Sequence, residues 1–242
     1  MSWGEQVFRY CERGQDAAFW AEPFNALSNA GFVVVAAIAA TRLHRVHDTR
    51  TDRTGRTAVA ALIALAVLIG LGSFLFHTFA TRWSRLADVA PIGAFMLAYL
   101  AFALHQFLGW TWTRIAAALA IFLAATAIAA TLSCPSQLSA VTTFAREPCL
   151  KGTMGYAPAL AALTLTGALL RRAHPAGRAL LIAAGLFLAA MLLRWIDMRS
   201  CGWTTLLGRP RGTHALWHLL NAATLHVLLG AAIANLRARH AG

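Results

Sequence analysis

Long apolar runs alternate along the chain with short caps of charged and turn-forming residues. A helix that crosses a bilayer needs about 20 mostly apolar residues. That rule predicts seven spans, at residues 24–43, 57–79, 86–107, 112–132, 155–171, 178–195 and 212–236. The expected fold is an all-α integral membrane protein, a seven-transmembrane helix bundle that forms one domain over residues 1–242, with an N-terminal arm at 1–23. The stretch 133–154 is rich in Ser, Thr and Pro and reads as a loop, while Gly208, Pro210 and Gly212 are breakers ahead of the last span. The arm holds Glu5, Arg9, Glu12, Arg13 and Asp16 and has no apolar core of a secretory signal, so the first span is expected to stay in the mature protein.

Composition agrees with this pattern. With 59% hydrophobic and 12% charged residues, a water-soluble fold would lack the polar surface to cover itself. The net charge of +12 does not point to nucleic acid, because the basic residues sit in caps between apolar runs and form no aromatic-interleaved patch. Lys151 is the single lysine among many arginines, and the spans are Ala-rich, a bias associated with GC-rich bacterial genomes. A bacterial inner (cell) membrane is the expected location.

Orientation rests on cysteines more than on charge. Lys and Arg divide almost evenly between the two sides, although Arg42, Arg45, Arg50, Arg53 and Arg56 crowd the hinge between the first two spans. Cys11, Cys134, Cys149 and Cys201 all fall on the N-terminal side, as expected if that side is oxidising. Four cysteines allow three pairings, and proximity favours Cys134 with Cys149, leaving Cys11 with Cys201. The N-terminus is then expected outside and the C-terminus in the cytoplasm.

The candidate chemistry is concentrated at the same end. Ser73 and His77 are four apart near the end of the second span, and Asp88 is expected in the first turn of the third. His214 and His218, also four apart, open the last span and point from one helical face, a spacing that lets one helix give two imidazoles to one metal. Ionisable groups inside a membrane are costly and mark function by default. Three histidines from two helices, with a carboxylate and a hydroxyl, make the inventory of a catalytic zinc site that keeps a fourth position for water. Zinc would acidify that water and polarise a carbonyl. Asp88 would take and return the proton, and Ser73 would donate to the developing oxyanion. Each residue alone has a structural explanation: an interfacial His77, an Asp88 favoured by the helix dipole, a Ser73 that packs helices. His105, His226 and Asp197 read as interface or packing residues, and His44, His47, His174 and His240 as loop or tail residues.

The chain resembles the alkaline ceramidase family, seven-span hydrolases within a membrane superfamily that also includes progestin- and adiponectin-type receptors. The resemblance lies in Gly-Ser-x-x-Phe-His at 72–77, Asp-x-x-Pro at 88–91, His-Ala-x-Trp-His at 214–218, Tyr-Cys-Glu at 10–12 and Phe-Trp-Ala-Glu-Pro-Phe-Asn-Ala-Leu-Ser-Asn at 19–29. It implies zinc held by His77, His214 and His218, with Asp88 and Ser73 catalytic, and cleavage of ceramide to a fatty acid and a sphingoid base. It also implies calcium in the arm, with Glu12 and Glu22 among its ligands. Arg9 and Gly14 stand where the family pattern has oxygen-bearing side chains, so Asp16 or Asn25 would have to substitute. Val89 replaces a common acidic residue and leaves the head group open.

The expected function is therefore a zinc-dependent amidase acting on ceramide or another N-acyl lipid within the bilayer. A second reading from the same residues is a non-enzymatic, zinc-stabilised receptor or lipid-binding protein. An ion transporter fits less well, because the site lies near one surface and not at the midplane.

Overall fold

Lipid offers no partners for backbone polar groups, so apolar runs of this length must satisfy their backbone internally as helices. The computed structural model describes residues 2–46, 53–135 and 146–241. His47 and Arg50, the centre of the 133–154 stretch and the side chain of His240 lie outside the described residues. Among the described residues, seven helical segments are long and apolar enough to cross a membrane: Pro23–His44, Arg53–Phe79, Arg82–Gln106, Trp112–Thr131, Cys149–Leu170, Ala176–Arg199 and His214–Arg237. The chain is a multi-pass membrane protein.

The helices are α1 (Pro23–Ser28), α2 (Ala30–His44), α3 (Arg53–Phe79), α4 (Arg82–Gln106), α5 (Trp112–Thr131), α6 (Ala157–Leu170), α7 (Ala176–Ile196) and α8 (His214–Ala241). α1 and α2 share the first crossing and are separated at Asn29. α3 packs along α4, α7 along α8, and α2 touches both α3 and α8. Fully buried Val59 and Ala66 of α3 meet Leu229 and Ala232 of α8 in the core. α5 lies at the periphery, with Ile121 and Ile128 70% and 63% exposed. Apolar faces this open belong against acyl chains.

Two features of the α3–α4 hairpin fix the site. Gly72 lies so close to α4 that a Cβ there would collide with the carbonyl of Ala87. The missing side chain lets the helices touch where Ser73 and Asp88 follow. The second feature is a capping box: Ser84 Oγ accepts from the Thr81 amide at 2.9 Å, and Thr81 Oγ1 accepts from the Ser84 amide at 3.4 Å. This cap starts α4 at Arg82, before the hydrophobic run begins. Asp88 therefore stands in the second turn of α4 and not in the first, which weakens a pure helix-dipole explanation of it.

The segments read as irregular carry short ribbons. β1 (Ser133–Pro135) pairs antiparallel with β2 (Arg146–Pro148), and the Cys134–Cys149 disulfide ties their ends. β3 (Thr205–Leu206) and β4 (Arg209–Pro210) form a hairpin whose turn residues, Leu207 and Gly208, both have left-handed φ, at 54° and 74°. The arm docks over the same end of the bundle. Val7 N–H donates to Ala80 O at 2.6 Å, Arg82 N–H to Glu5 O at 3.1 Å, and Cys11 is bonded to Cys201.

Candidate metal centre

α3 carries His77 in its last turn, while α8 begins at His214 and presents His218 one turn later. The three rings are buried, at 1%, 2% and 2% exposure. One nitrogen from each lies within 4.8 Å of the others. His77 Nε2 and His214 Nδ1 are buried without a hydrogen-bond partner. Unpartnered buried nitrogens are expensive, and two of them in a cluster of three imidazoles suit a metal ion.

The outward nitrogens are engaged. Glu22 Oε2 lies 2.5 Å from His77 Nδ1, and Ser28 Oγ lies 2.7 Å from His218 Nδ1. A partner at Nδ1 fixes each ring and leaves Nε2 facing inward. Ser28 reaches His218 because α1 ends there; its hydroxyl donates to Asn25 O at 2.8 Å. His214 is set through its backbone. Asp197 Oδ1 accepts from the amides of Thr213 at 2.8 Å and His214 at 2.9 Å, and Oδ2 accepts from Cys11 N–H at 3.0 Å. Gly212, with φ of 69°, leaves room for this carboxylate, which a Cβ would meet. Asp197 is thus a cap that joins arm and helix, where the sequence suggested a packing residue. Tyr10 stacks on His214 with ring centroids 3.8 Å apart.

Comparison with protein-family models returns one described as ceramidase, matching residues 8–240. The chain belongs to the ceramidase family. No match is found among curated proteins. Family membership supports an amidohydrolase acting on a lipid, and the three-histidine cluster is able to hold a metal ion.

Ser73 and Asp88 lie beside the histidines. Both are buried, at 3% and 8% exposure, and they line the same cavity. His214 and His218 line it too, and it continues past Met96 and Phe122 to Tyr99, Ala103 and Leu228. From Asp88 to Ala103 the lining follows α4 for about 22 Å at 1.5 Å per residue. The walls are mostly apolar, and the lining's carboxylate, guanidinium and imidazole groups, Asp88, Arg194, His214 and His218, stand toward one end. A long, mainly apolar cavity of this kind suits a lipid substrate.

The arm residues linked to calcium are otherwise engaged in this chain. Glu12 accepts from the amides of Phe24 at 2.9 Å and Asn25 at 2.8 Å, and from Arg211 at 3.1 Å. Glu22 divides its oxygens between Arg13 Nε and His77, and Asn25 Nδ2 adds a bond at 2.9 Å. The Arg13 guanidinium also donates to the carbonyls of Asp16, Ala18, His77 and Thr78, at 2.9–3.1 Å. Burial pushes the Glu22 carboxyl up, but His77, Asn25 and Arg13 outweigh it and hold the carboxyl below its usual range. Burial also lifts Glu12, only partly offset by its amide bonds and Arg211. Asn25 Oδ1 is left without a partner, one oxygen where calcium needs six to eight. A resident guanidinium already neutralises this cage, and these residues do not fit a calcium ion.

Sequence reading missed Arg13, Ser28 and Asp197. Their partners lie 64, 190 and 17 positions away, at His77, His218 and His214. No local spacing signals such contacts. Arg194, in the last turn of α7, also lines the cavity. His105 stays outside the site, stacked on Trp112 with centroids 4.7 Å apart.

Proposed function

We propose that this protein is a zinc-dependent membrane amidohydrolase that cleaves the amide bond of ceramide or a related N-acyl lipid, releasing a fatty acid and a sphingoid base or amine. The reading is carried by one observation: three buried imidazoles, two with unpartnered nitrogens, face a carboxylate and a hydroxyl at the polar end of a long apolar cavity. Zinc at His77, His214 and His218 would supply a Lewis acid and a water whose pKa falls toward about 7.

The chain's own groups have the remaining roles. Asp88 Oδ accepts a proton from the attacking water and returns it to the leaving nitrogen, since one carboxylate beside both atoms serves as base and then acid. Ser73 Oγ holds Asp88 in position and donates to the carbonyl oxygen as negative charge gathers there. The apolar walls take the acyl chain and exclude bulk water, which strengthens each polar contact at the mouth. The N-terminal arm lies outside and the C-terminus in the cytoplasm. Supporting this orientation, both disulfides lie at the end of the bundle that carries the arm.

The test is metal analysis of the purified protein with fatty-acid release from ceramide. Stoichiometric zinc that disappears in the His77, His214 and His218 triple substitution is expected, with Asp88→Asn keeping the metal and losing at least about a hundredfold in kcat. Full activity in Asp88→Asn would remove its proton role. Tight lipid binding without turnover would favour a receptor or lipid-binding protein.

A further inference from the structure

A second hollow opens beside the metal-site cavity, between the arm and the ends of α4 and α7, and Tyr10 and Arg194 line both. Its walls carry Arg9, Arg82, Arg85, Lys151 and Arg194. Its two carboxylates are committed elsewhere. Glu5 pairs with Arg82 at 3.1 Å, and Asp197 caps α8. Among the described residues, Arg9, Arg85 and Arg194 form no ion pair with a carboxylate. Arg194 donates to neutral oxygens, Lys151 O at 3.1 Å and Thr153 Oγ1 at 2.9 Å, and its guanidinium lies over the rings of Tyr156 and Trp217. Burial first, then the neighbouring charge of Arg85, lowers the pKa of Arg9. Positive charge is therefore concentrated here, with buried Asp88 the nearby carboxylate whose charge reaches Arg85 and Arg194.

The location relative to the chemistry gives this charge a meaning. Arg85 precedes Asp88 by three residues on α4, so it stands on the same face one turn further out. In an N-acyl lipid the head group is carried on the nitrogen side of the amide. With the acyl chain in the cavity and the amide at Asp88, the head group falls among Arg85, Arg9 and Arg194. We infer that this basic vestibule selects N-acyl lipids whose amine portion carries an anionic head group, a phosphate, carboxylate or sulfonate. The inference rests on the amidase reading and adds the substrate class to it. Arginine suits the task because its planar donors bind such oxyanions in pairs.

The released fatty acid is also an anion, so the test separates the two sources. Turnover of N-acylsphingosine and of its 1-phosphate, with the same acyl chain, is compared for the native protein and for the Arg9→Gln/Arg85→Gln double variant. The phosphate lipid should be preferred by about tenfold or more in kcat/KM, and the double variant should lose that preference while neutral-lipid turnover stays within about twofold. Equal or better use of the neutral lipid by the native protein overturns the inference, as does an equal loss on both lipids. A variant that changes only inhibition by free fatty acid also overturns it, because the cations then serve the product. Thermal stabilisation by the two lipids is measured alongside. If neither lipid is cleaved the amidase reading fails, and the vestibule is judged on whether the phosphate lipid stabilises the native protein more than the neutral one and the double variant does not.

Discussion

Glu22 and His77, 55 residues apart, meet with carboxylate Oε2 2.5 Å from ring Nδ1. The contact fixes the imidazole so that Nε2 faces the other two histidines. Carboxylates behind metal-binding histidines typically contribute about 10–100-fold in metal affinity. Glu22→Gln should therefore weaken zinc binding by about 10–100-fold, read by competition with a chromophoric chelator. Unchanged affinity would mean that the ring is held by packing alone.

Gly72 sets the distance between α3 and α4. Gly72→Val forces a side chain into the Ala87 carbonyl and should cost about 1–3 kcal/mol as the helices part. Ser73 and Asp88 separate with them, so turnover should fall more than metal content does. Thermal unfolding, zinc analysis and kcat on the same preparation check this.

Arg13 occupies the arm's oxygen cage with five hydrogen bonds. Native protein should unfold at the same temperature in excess calcium and in a calcium-selective chelator. Arg13→Ala leaves the buried Glu22 short of a partner and should cost about 3–5 kcal/mol. A clear drop in the unfolding temperature of the native protein on calcium removal would contradict the cage as described.

Cys11 and Cys201 join the arm to the segment ahead of α8. Replacing both with Ser should cost about 2–5 kcal/mol and free the arm for proteolysis near Tyr10. Limited digestion of native and variant protein in detergent reads this directly.

The parts of the fold that were legible in the sequence are those set by local rules. Runs of about 20 apolar residues announce their helices because lipid forbids alternatives, and His214 with His218 is visible as a one-turn spacing. The start of α4 was misjudged because its first turn, Arg82 to Arg85, is polar and is held by the Thr81–Ser84 cap. Arg13, Ser28 and Asp197 were illegible for a different reason. Each acts on a histidine through a hydrogen bond closed only by the packed bundle, and an exposed salt bridge or an ordinary cap would leave the same letters in the sequence.

Tyr10 lies against His214, and Glu22 and Ser28 hold His77 and His218. Residues near the start of the sequence thus complete a site whose last ligand, His218, lies 190 positions beyond Ser28. A chain lacking the seventh crossing would keep only one of the three imidazoles, so the cluster forms only when the first and last parts of the bundle have packed together.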